Sequence, residues 1–358
     1  MEGLEIYQGK KVLVTGHTGF KGAWLSIWLT KLGAKVVGFS LPKSDNDYIY
    51  KRSELKKIIF SDIKGDIRNY KKLKAVFDKY KPEVVFHLAA QPLVRSSYDI
   101  PLETFQVNTL GTANVLECIR KSRSVKAAVL VTTDKCYKNK ETHLPYKETD
   151  ELGGYDPYSA SKACAEIVIE SYRNSFFKNS KVGIASARAG NVLGGGDFGR
   201  DRLIPDCIKS LRSGKPIQIR NPSAIRPWQY ILDVLYGYLL LGKRLLEGRK
   251  EFAEAWNFGP EQNSIIPVRR VVDLVIKTWG SGSWIDVSKQ NEPKHEALLL
   301  NLDITKAKKK LKWKPKLTIK ENIEKTVSWY KNEMGKKGEA LLDLCYAEID
   351  DYERRKYE

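Results

Sequence analysis

Val12-Leu13-Val14-Thr15-Gly16-His17-Thr18-Gly19-Phe20-Lys21-Gly22, followed by Ala23-Trp24-Leu25-Ser26-Ile27-Trp28-Leu29, is the stretch from which the rest of the chain is read. Its opening apolar run, rich in β-branched residues, predicts a buried strand. Three glycines follow, and then apolar residues at helical spacing. Strand, glycine turn and helix in that order are what a dinucleotide needs. Gly16 allows the tight turn, Gly19 lets the backbone approach a pyrophosphate, and Gly22 lets the helix pack close to the strand. The free N–H groups and the dipole of the helix start then face the phosphates. His17 lies beside that pyrophosphate position, where its imidazole either helps the cofactor or crowds it.

Working outward, strands are predicted at residues 35–39, 58–60, 84–88, 128–131 and 182–185. Helices are predicted at 69–80, 101–119 and 158–177, the second from apolar Leu102, Phe105, Leu110, Ala113 and Leu116 at helical spacing. Alternation of this kind predicts an α/β fold, a Rossmann-type doubly wound parallel sheet with helices on both faces. Beyond Arg188 the character changes to a glycine-rich loop at 190–199 and shorter elements. These predict a smaller α/β substrate lobe against the carboxyl edge of the sheet. The division expected is a dinucleotide-binding domain at 1–190 with 228–256 returning to it, a substrate lobe at 191–227 and 257–334, and a charged, helical appendage at 335–358.

The chain has 358 residues, of which 42% are hydrophobic, enough for a large core. No stretch is long and apolar enough to span a membrane, and no leader is visible. The five cysteines are scattered without pairing or metal spacing, as are the four histidines. A reduced, cytoplasmic protein without a bound metal is expected. The formal charge of +19 is spread along the chain and interleaved with acids. It reads as solvated surface that attracts anionic ligands, not as a nucleic-acid or membrane footprint.

Two further stretches carry chemistry. Tyr158 and Lys162 stand four apart at a helix start and so share a face. An ammonium beside a phenol favours phenolate, which makes Tyr158 a candidate base for a hydroxyl group. Thr133, Asp134 and Lys135 follow the predicted fifth strand, at the sheet edge where ligands of open α/β sheets bind. Thr133 can bond a hydroxyl, and Asp134 with Lys135 is a candidate acid/base pair. An acid that holds the cofactor ribose is expected about 20 residues after the glycines. Here the second strand ends Gly38-Phe39-Ser40 with Lys43 nearby, so Ser40 is the remaining polar group and a 2′-phosphate is not excluded.

These pieces, in this order and at these separations, resemble the extended short-chain dehydrogenase/reductase superfamily. His87-Leu88-Ala89-Ala90-Gln91, Val107-Asn108-Thr109-Leu110-Gly111-Thr112 and Arg188-Ala189-Gly190-Asn191-Val192 extend the match. Within the superfamily the chain resembles the CDP-glucose 4,6-dehydratase family. That likeness rests on the His17 and Lys21 form of the glycine loop, on Gln91-Pro92-Leu93-Val94-Arg95, on Thr133-Asp134-Lys135 and on Gly194-Gly195-Gly196-Asp197. Ile225-Arg226-Pro227-Trp228-Gln229-Tyr230 and the late His295-Glu296-Ala297 complete it. Lys135 separates it from the dTDP-glucose relatives, which carry glutamate there. The resemblance implies NAD as cofactor and CDP-glucose as substrate, dehydrated to CDP-4-keto-6-deoxyglucose.

It also implies roles. Thr133, Asp134, Lys135, Tyr158 and Lys162 are catalytic, with Asp134 as acid and Lys135 as base. To act as a base Lys135 must be neutral, which burial or a nearby charge such as Lys162 favours. Gly16, His17, Thr18, Gly19, Phe20, Lys21, Gly22, Ser40, Asp66, Ile67, Leu88, Ala89, Ala90, Thr132, Tyr158, Lys162 and Arg188 surround the cofactor. Gln91, Asn191, Arg202, Leu203, Ile219, Arg226 and His295 surround the substrate, Arg226 at the diphosphate. The superfamily pairs two long helices per subunit, here 101–119 and 158–177, which implies a homodimer, with a homotetramer as the further state. The alternatives are a dehydratase or epimerase acting on another nucleotide sugar, or a non-catalytic dinucleotide-binding regulator. Epimerases of the superfamily lack the Asp134–Lys135 pair.

Overall fold

The computed structural model describes residues 3–42, 47–142, 144–290 and 299–355. The first half runs β1 (Lys11–Thr15), α1 (Phe20–Lys31), β2 (Lys35–Ser40), α2 (Tyr48–Arg52), β3 (Ser61–Lys64), α3 (Tyr70–Tyr80), β4 (Val84–His87), α4 (Val94–Asp99), α5 (Pro101–Phe105), α6 (Gly111–Lys121), β5 (Ala127–Val131) and α7 (Pro157–Tyr172). The second runs β6 (Gly183–Ala189), β7 (Asn191–Leu193), α8 (Leu203–Arg212), β8 (Ile217–Ile219), β9 (Ile225–Tyr230), α9 (Ile231–Leu246), β10 (Ala255–Phe258), β11 (Ile265–Pro267), α10 (Val268–Trp279), β12 (Trp284–Asp286), α11 (Ile319–Asn332) and α12 (Glu339–Arg354).

Seven strands form one parallel sheet in the order β10-β6-β5-β4-β1-β2-β3. The strands are apolar throughout because both faces are covered. In β1, Val12 and Val14 enter the core on one face and Leu13 the core on the other. Strand order reverses at β1, between β4 and β2, and a crevice opens there at the carboxyl ends. The helix α9 packs on β5 and β6. A three-stranded sheet, β11-β9-β7, and the pair β12-β8 form the second, smaller assembly.

The structure differs from the sequence reading at the third strand, the helix at 101–119 and the C-terminal segment, and the sixth strand runs to Ala189 instead of 185. The third strand is Ser61–Lys64, not 58–60; Ile59 is a core residue beside it and Phe60 is exposed. Apolar character at 58–60 reflects packing, and the strand itself carries Asp62 and Lys64, which pair with each other. The predicted helix 101–119 is broken by a π-helical turn, Gln106–Leu110. The C-terminal helix α12 is no appendage. Leu341, Leu342, Cys345, Ile349 and Tyr352 join the core, and Glu353 accepts from Trp28 Nε1 of α1 at 2.8 Å. Acidic residues interleave with this apolar stripe, and two of them, Glu348 and Glu353, bond inward to Tyr230 and Trp28, which hid the stripe in the sequence. Among the described residues all five cysteines are free, no group of metal-ligating side chains occurs, and no helix is long and apolar enough to cross a membrane.

Candidate active site

The loops after β1, β4, β5 and β6 open on one edge of the sheet. After β1, Gly16 has φ 77°, and a Cβ there would meet Ala89 N at 2.7 Å. A Cβ on Gly22 would run into the Gly16 carbonyl, so close approach of α1 to the loop requires glycine. Gly19 caps α1 without a side-chain cap bond, so the N–H groups of the first turn are left for a ligand. A pyrophosphate fits this cradle. Thr18 N donates to Ser40 Oγ at 3.4 Å, tying the loop to the end of β2. Behind it, Thr15 Oγ1 bonds His87 Nδ1 at 2.7 Å and accepts from Ala89 N at 3.3 Å. This fixes the Leu88-Ala89-Ala90 turn against the cradle. Asp66 accepts from Arg68 Nε and backbone N, both at 2.8 Å. Although burial opposes it, those bonds hold its carboxyl below the usual range.

Some predicted cofactor residues serve other purposes. His17 neither helps nor crowds a pyrophosphate: its buried ring lies against Gly38 of β2, and Nε2 bonds Asp62 Oδ1 at 2.8 Å. Asp62 also accepts from Tyr50 Oη at 2.7 Å and Lys64 Nζ at 2.9 Å. Burial pushes the His17 imidazole below its ordinary value, against the pull of Asp62. Ile67 is a core side chain under Gly111. Arg188 points into the protein, where it pairs with Glu166 at 2.8 Å and donates to Tyr137 Oη at 2.8 Å. Thr132 donates to the same Glu166. Both side chains face the floor under the site because a buried carboxylate there needs donors. Lys43 lies outside the described residues.

Tyr158 and Lys162 stand in the first turns of α7. Pro157 opens the helix and Asp156 caps it, accepting from Ser159 N at 2.9 Å and Ser159 Oγ at 2.6 Å. Tyr158 N donates to Ser97 Oγ at 3.1 Å, and Lys162 Nζ donates to Val131 O at 3.2 Å. Thr133 heads a single 3₁₀ turn over Asp134–Cys136 at the end of β5. Its hydroxyl donates to Asp134 Oδ1 at 3.0 Å, close to the Tyr158 phenol. Asp134 is 2% exposed, and its Oδ2 is buried with no hydrogen-bond partner. Lys135 follows, partly buried, its N–H directed at Thr133 Oγ1 at 3.4 Å.

The expected lowering of the Tyr158 pKa is not found in the protein alone. Burial pushes the phenol up to about 12, the neighbouring Thr133 hydroxyl pulls it down, and Asp134 adds to the rise. Lys162 is itself pushed down to about 8 by burial, against the pull of Glu166. Lys21, expected at the cofactor, shares this region. Burial, with Arg202 and Lys162 adding to it, brings the Lys21 amine to about 8, while Asp134 and Asp197 oppose the fall.

Several residues missed as functional frame this centre. Asn108, on the π-helical turn, donates to Ser161 Oγ at 2.9 Å and Gln91 O at 3.1 Å, and accepts from Gln91 N at 2.9 Å. The extra residue per turn swings Asn108 toward α7, a use π turns often have. Only its presence inside a recognised motif signalled it. Glu166 lies four residues beyond Lys162 on α7, a spacing that could have flagged it. His87 is held neutral, its pKa pushed down to about 3 by burial and by Lys162.

On the substrate side, Arg202 pairs with Asp197 at 3.1 Å, and Asn191 opens β7 beside Trp228. Arg226 is buried on β9, its Nη1 donating to Ile225 O at 3.1 Å. Leu203 is partly buried against the core. Two predicted contacts are structural instead. Ile219 is 2% exposed within the core. The Gln91 amide is spent on its own turn, accepting from Leu93 N and donating to Leu93 O at 3.1 Å and Thr104 Oγ1 at 2.9 Å. His295, with Glu296 and Ala297, lies outside the described residues. The loop after β7 is pinned to the cofactor helix, since Trp24 Nε1 donates to Gly195 O at 2.9 Å.

A nucleotide cradle at the switch point, with tyrosine and lysine from one helix turned toward it, is the arrangement of the extended short-chain dehydrogenase/reductases. Residues 13–326 match the family model described as GDP-mannose 4,6 dehydratase. Over 352 residues, 97% of each chain, the sequence is 45% identical to the CDP-glucose 4,6-dehydratase of Salmonella typhimurium. The chain therefore belongs to the GDP-mannose 4,6 dehydratase family, and within it stands with the CDP-glucose 4,6-dehydratases. Among solved structures, an epimerase from Methanothermobacter thermautotrophicus is 26% identical, with a TM-score of 0.81 over 93% of this chain and 96% of its own. A dTDP-glucose 4,6-dehydratase from Streptomyces venezuelae, with NAD and TYD bound, shares the fold at 23% identity and a TM-score of 0.76, over 91% of this chain and 98% of its own.

Proposed function

We propose that the protein converts CDP-glucose to CDP-4-keto-6-deoxyglucose, using NAD that is regenerated in each turnover. The observation that carries this reading is the buried Asp134, bonded to Thr133 at 3.0 Å beside Tyr158, with Lys135 next in the chain. An enzyme that only oxidises and re-reduces C4 has no need of the acid and the second base.

The Gly16–Gly22 loop would hold the pyrophosphate of NAD, Ser40 a ribose hydroxyl, and the Leu88–Ala90 turn with Tyr158 and Lys162 the nicotinamide end. When bound, NAD supplies the acceptor for the C4 hydride and its return to C6, and its positive charge favours the phenolate that burial opposes. Tyr158 takes the proton of the sugar 4-hydroxyl. The 4-keto group makes the C5 proton acidic, and Lys135 removes it. As the C5–C6 double bond forms, the C6–O bond breaks and Asp134 protonates the departing oxygen. Lys135 then returns its proton to C5. The proton taken from O4 by Tyr158 balances the one given up by Asp134, so one water leaves and the chain ends as it began once that proton is passed back. Arg226 and Asn191 would meet the diphosphate, and Arg202 and Leu203 the base.

We also infer a homodimer formed through α5–α6 and α7. Leu102 on α5, Leu110 on the π-helical turn before α6 and Ile167 on α7 are exposed apolar side chains, and a second copy would cover them.

Lys135→Met, followed by solvent deuterium entry at C5, tests the roles. Deuterium entry and turnover should both fall by about 10²–10⁴-fold, the usual weight of a proton-transfer group. Normal exchange and turnover would remove Lys135 from the mechanism.

A further inference from the structure

We propose that His87 is a positioning residue for hydride transfer: with Thr112 and Asn108 it braces the Leu88–Ala90 turn, at the nicotinamide end, against the helix that carries Tyr158. The inference rests on the NAD-linked reading above and adds a residue to it. In that reading hydride passes between two groups held by different elements, the nicotinamide by the turn after β4 and the sugar hydroxyl by α7. The distance between those elements must be fixed, because a misplacement of about 1 Å can cost about 100-fold in rate.

His87 ends β4 and is paired in register with Thr15 at the end of β1. Thr15 Oγ1 lies 2.7 Å from His87 Nδ1 and accepts from Ala89 N at 3.3 Å. On the other side of the ring, Nε2 lies 3.2 Å from Thr112 Oγ1 in α6. Thr112 gives its one hydroxyl proton to Asn108 O at 2.6 Å, so towards the ring it can only accept. Nε2 therefore carries the imidazole proton, Nδ1 is bare, and Thr15 donates to it. A second proton on the ring would leave the Thr15 hydroxyl proton without an acceptor. Burial and the charge of Lys162, which hold the imidazole down at about 3, keep that proton off.

Asn108, whose carbonyl Thr112 holds, spends its side chain on both parts that must be aligned. It accepts from Gln91 N at 2.9 Å and donates to Gln91 O at 3.1 Å, which grips the far end of the turn. Its other N–H goes to Ser161 Oγ at 2.9 Å, and Ser161 Oγ donates to Tyr158 O at 2.7 Å. His87 and Asn108 thus hold the turn at its two ends, and Asn108 also holds the start of α7. Thr15, His87, Asn108, Thr112 and Ser161 are all buried. A buried network with its partners satisfied holds one geometry.

Two variants cut this line at different points. Thr112→Val keeps the shape and removes the hydroxyl; His87→Asn keeps an acceptor for Thr15 and removes the Nε2 donor. Both leave Thr109 Oγ1 donating to Ser161 O at 3.1 Å, so the π turn stays attached to α7. Hydride transfer is read by the absorbance of reduced nicotinamide in a single turnover with CDP-glucose, and NAD affinity by calorimetry. The isotope effect on turnover is read with CDP-glucose deuterated at C4. Each variant should slow hydride transfer by about 10- to 100-fold and raise the isotope effect, with NAD affinity unchanged. The double variant should be no slower than the slower single one, because both changes cut one line. Thr112→Ser, which restores the hydroxyl, should restore the rate. Hydride transfer at the wild-type rate in both variants overturns the proposal. So does a loss expressed wholly as weaker NAD binding, a loss that Thr112→Ser shares, or losses that multiply in the double variant. If one variant does not fold, the other carries the test; if neither folds, the line serves the fold alone and the proposal fails. Failure of the underlying reading looks different, because the wild type itself would then neither reduce NAD nor release water with any nucleotide sugar.

Discussion

Replacing Glu166 by Gln connects the floor of the site to its chemistry. Glu166 is 2% exposed and Arg188 4%, with Nη2 to Oε2 at 2.8 Å. The carboxylate also accepts from Thr132 and from Ser186 Oγ, the latter at 2.8 Å. Glutamine keeps one acceptor oxygen and turns an N–H₂ toward donors on the other side. Arg188 retains Tyr137 Oη and the Glu148 carbonyl, and its guanidinium lies over the Tyr137 ring at 4.9 Å, but its charge is left buried without a counter-charge. Removing one partner of a buried ion pair costs about 3–5 kcal/mol. The second effect reaches Lys162. Its amine is pushed down to about 8 by burial, and Glu166 is the first charge that opposes the fall. Without Glu166 the amine loses its proton at lower pH. If the reaction requires Lys162 charged, the basic limb of the hydride-transfer profile moves to lower pH. Guanidinium unfolding and a pH series of single-turnover hydride transfer measure the two effects. A stability loss below about 1 kcal/mol, within the ordinary range for point substitutions, together with an unmoved basic limb would refute the reasoning.

Asp233 gives a stability prediction with a defined sign. Burial raises its carboxyl from 3.8 to about 7, although Lys316 N at 2.7 Å and Tyr352 Oη at 2.9 Å both donate to Oδ1. The folded value lies above the unfolded one, so the stability that the neutral acid contributes is complete below 3.8 and is lost as pH rises through 7. Wild-type stability should fall across that window, and Asp233→Asn, which keeps the acceptor, should be flatter; parallel unfolding midpoints from acid to neutral pH would sink the idea. At the cofactor end, Ser40→Asp places a carboxylate where the ribose is expected while still accepting from Thr18 N. It should tighten NAD by about tenfold, the effect of one charge-assisted hydrogen bond. Unchanged or weaker binding in calorimetry would count against that placement.

The sheet was legible because its strands are buried on both faces and read as apolar runs between helices. β2, β4 and β5 lie within a residue of their predicted bounds. The third strand was misplaced because Asp62 and Lys64 satisfy each other inside it, which an apolar criterion passes over. β6 extends to Ala189 for the same reason, since Arg188 within it is neutralised by Glu166. Charged residues that cancel across elements have no local signature. Tyr158, Lys162, Thr133, Asp134 and Lys135 stood out in the sequence because their spacing and strand-end position suit the chemistry. The structure brings Tyr158, Thr133 and Asp134 together and keeps Lys162 on the same helix. Direction could not be read in this way. Whether His17 faced the cofactor or β3, and Arg188 the crevice or the floor, depended on partners 45 and 22 residues away. The elevated Tyr158 phenol was hidden for a similar reason, because burial outweighs what a neighbouring lysine suggests.

The most direct measurement is incubation of the protein with NAD and, separately, CDP-glucose, dTDP-glucose, UDP-glucose and GDP-mannose, with product mass and cofactor redox state followed together. The account predicts loss of one water, chiefly from CDP-glucose, with no net accumulation of reduced cofactor. Loss of water from none of the four sugars, or stoichiometric build-up of reduced cofactor without dehydration, would contradict it.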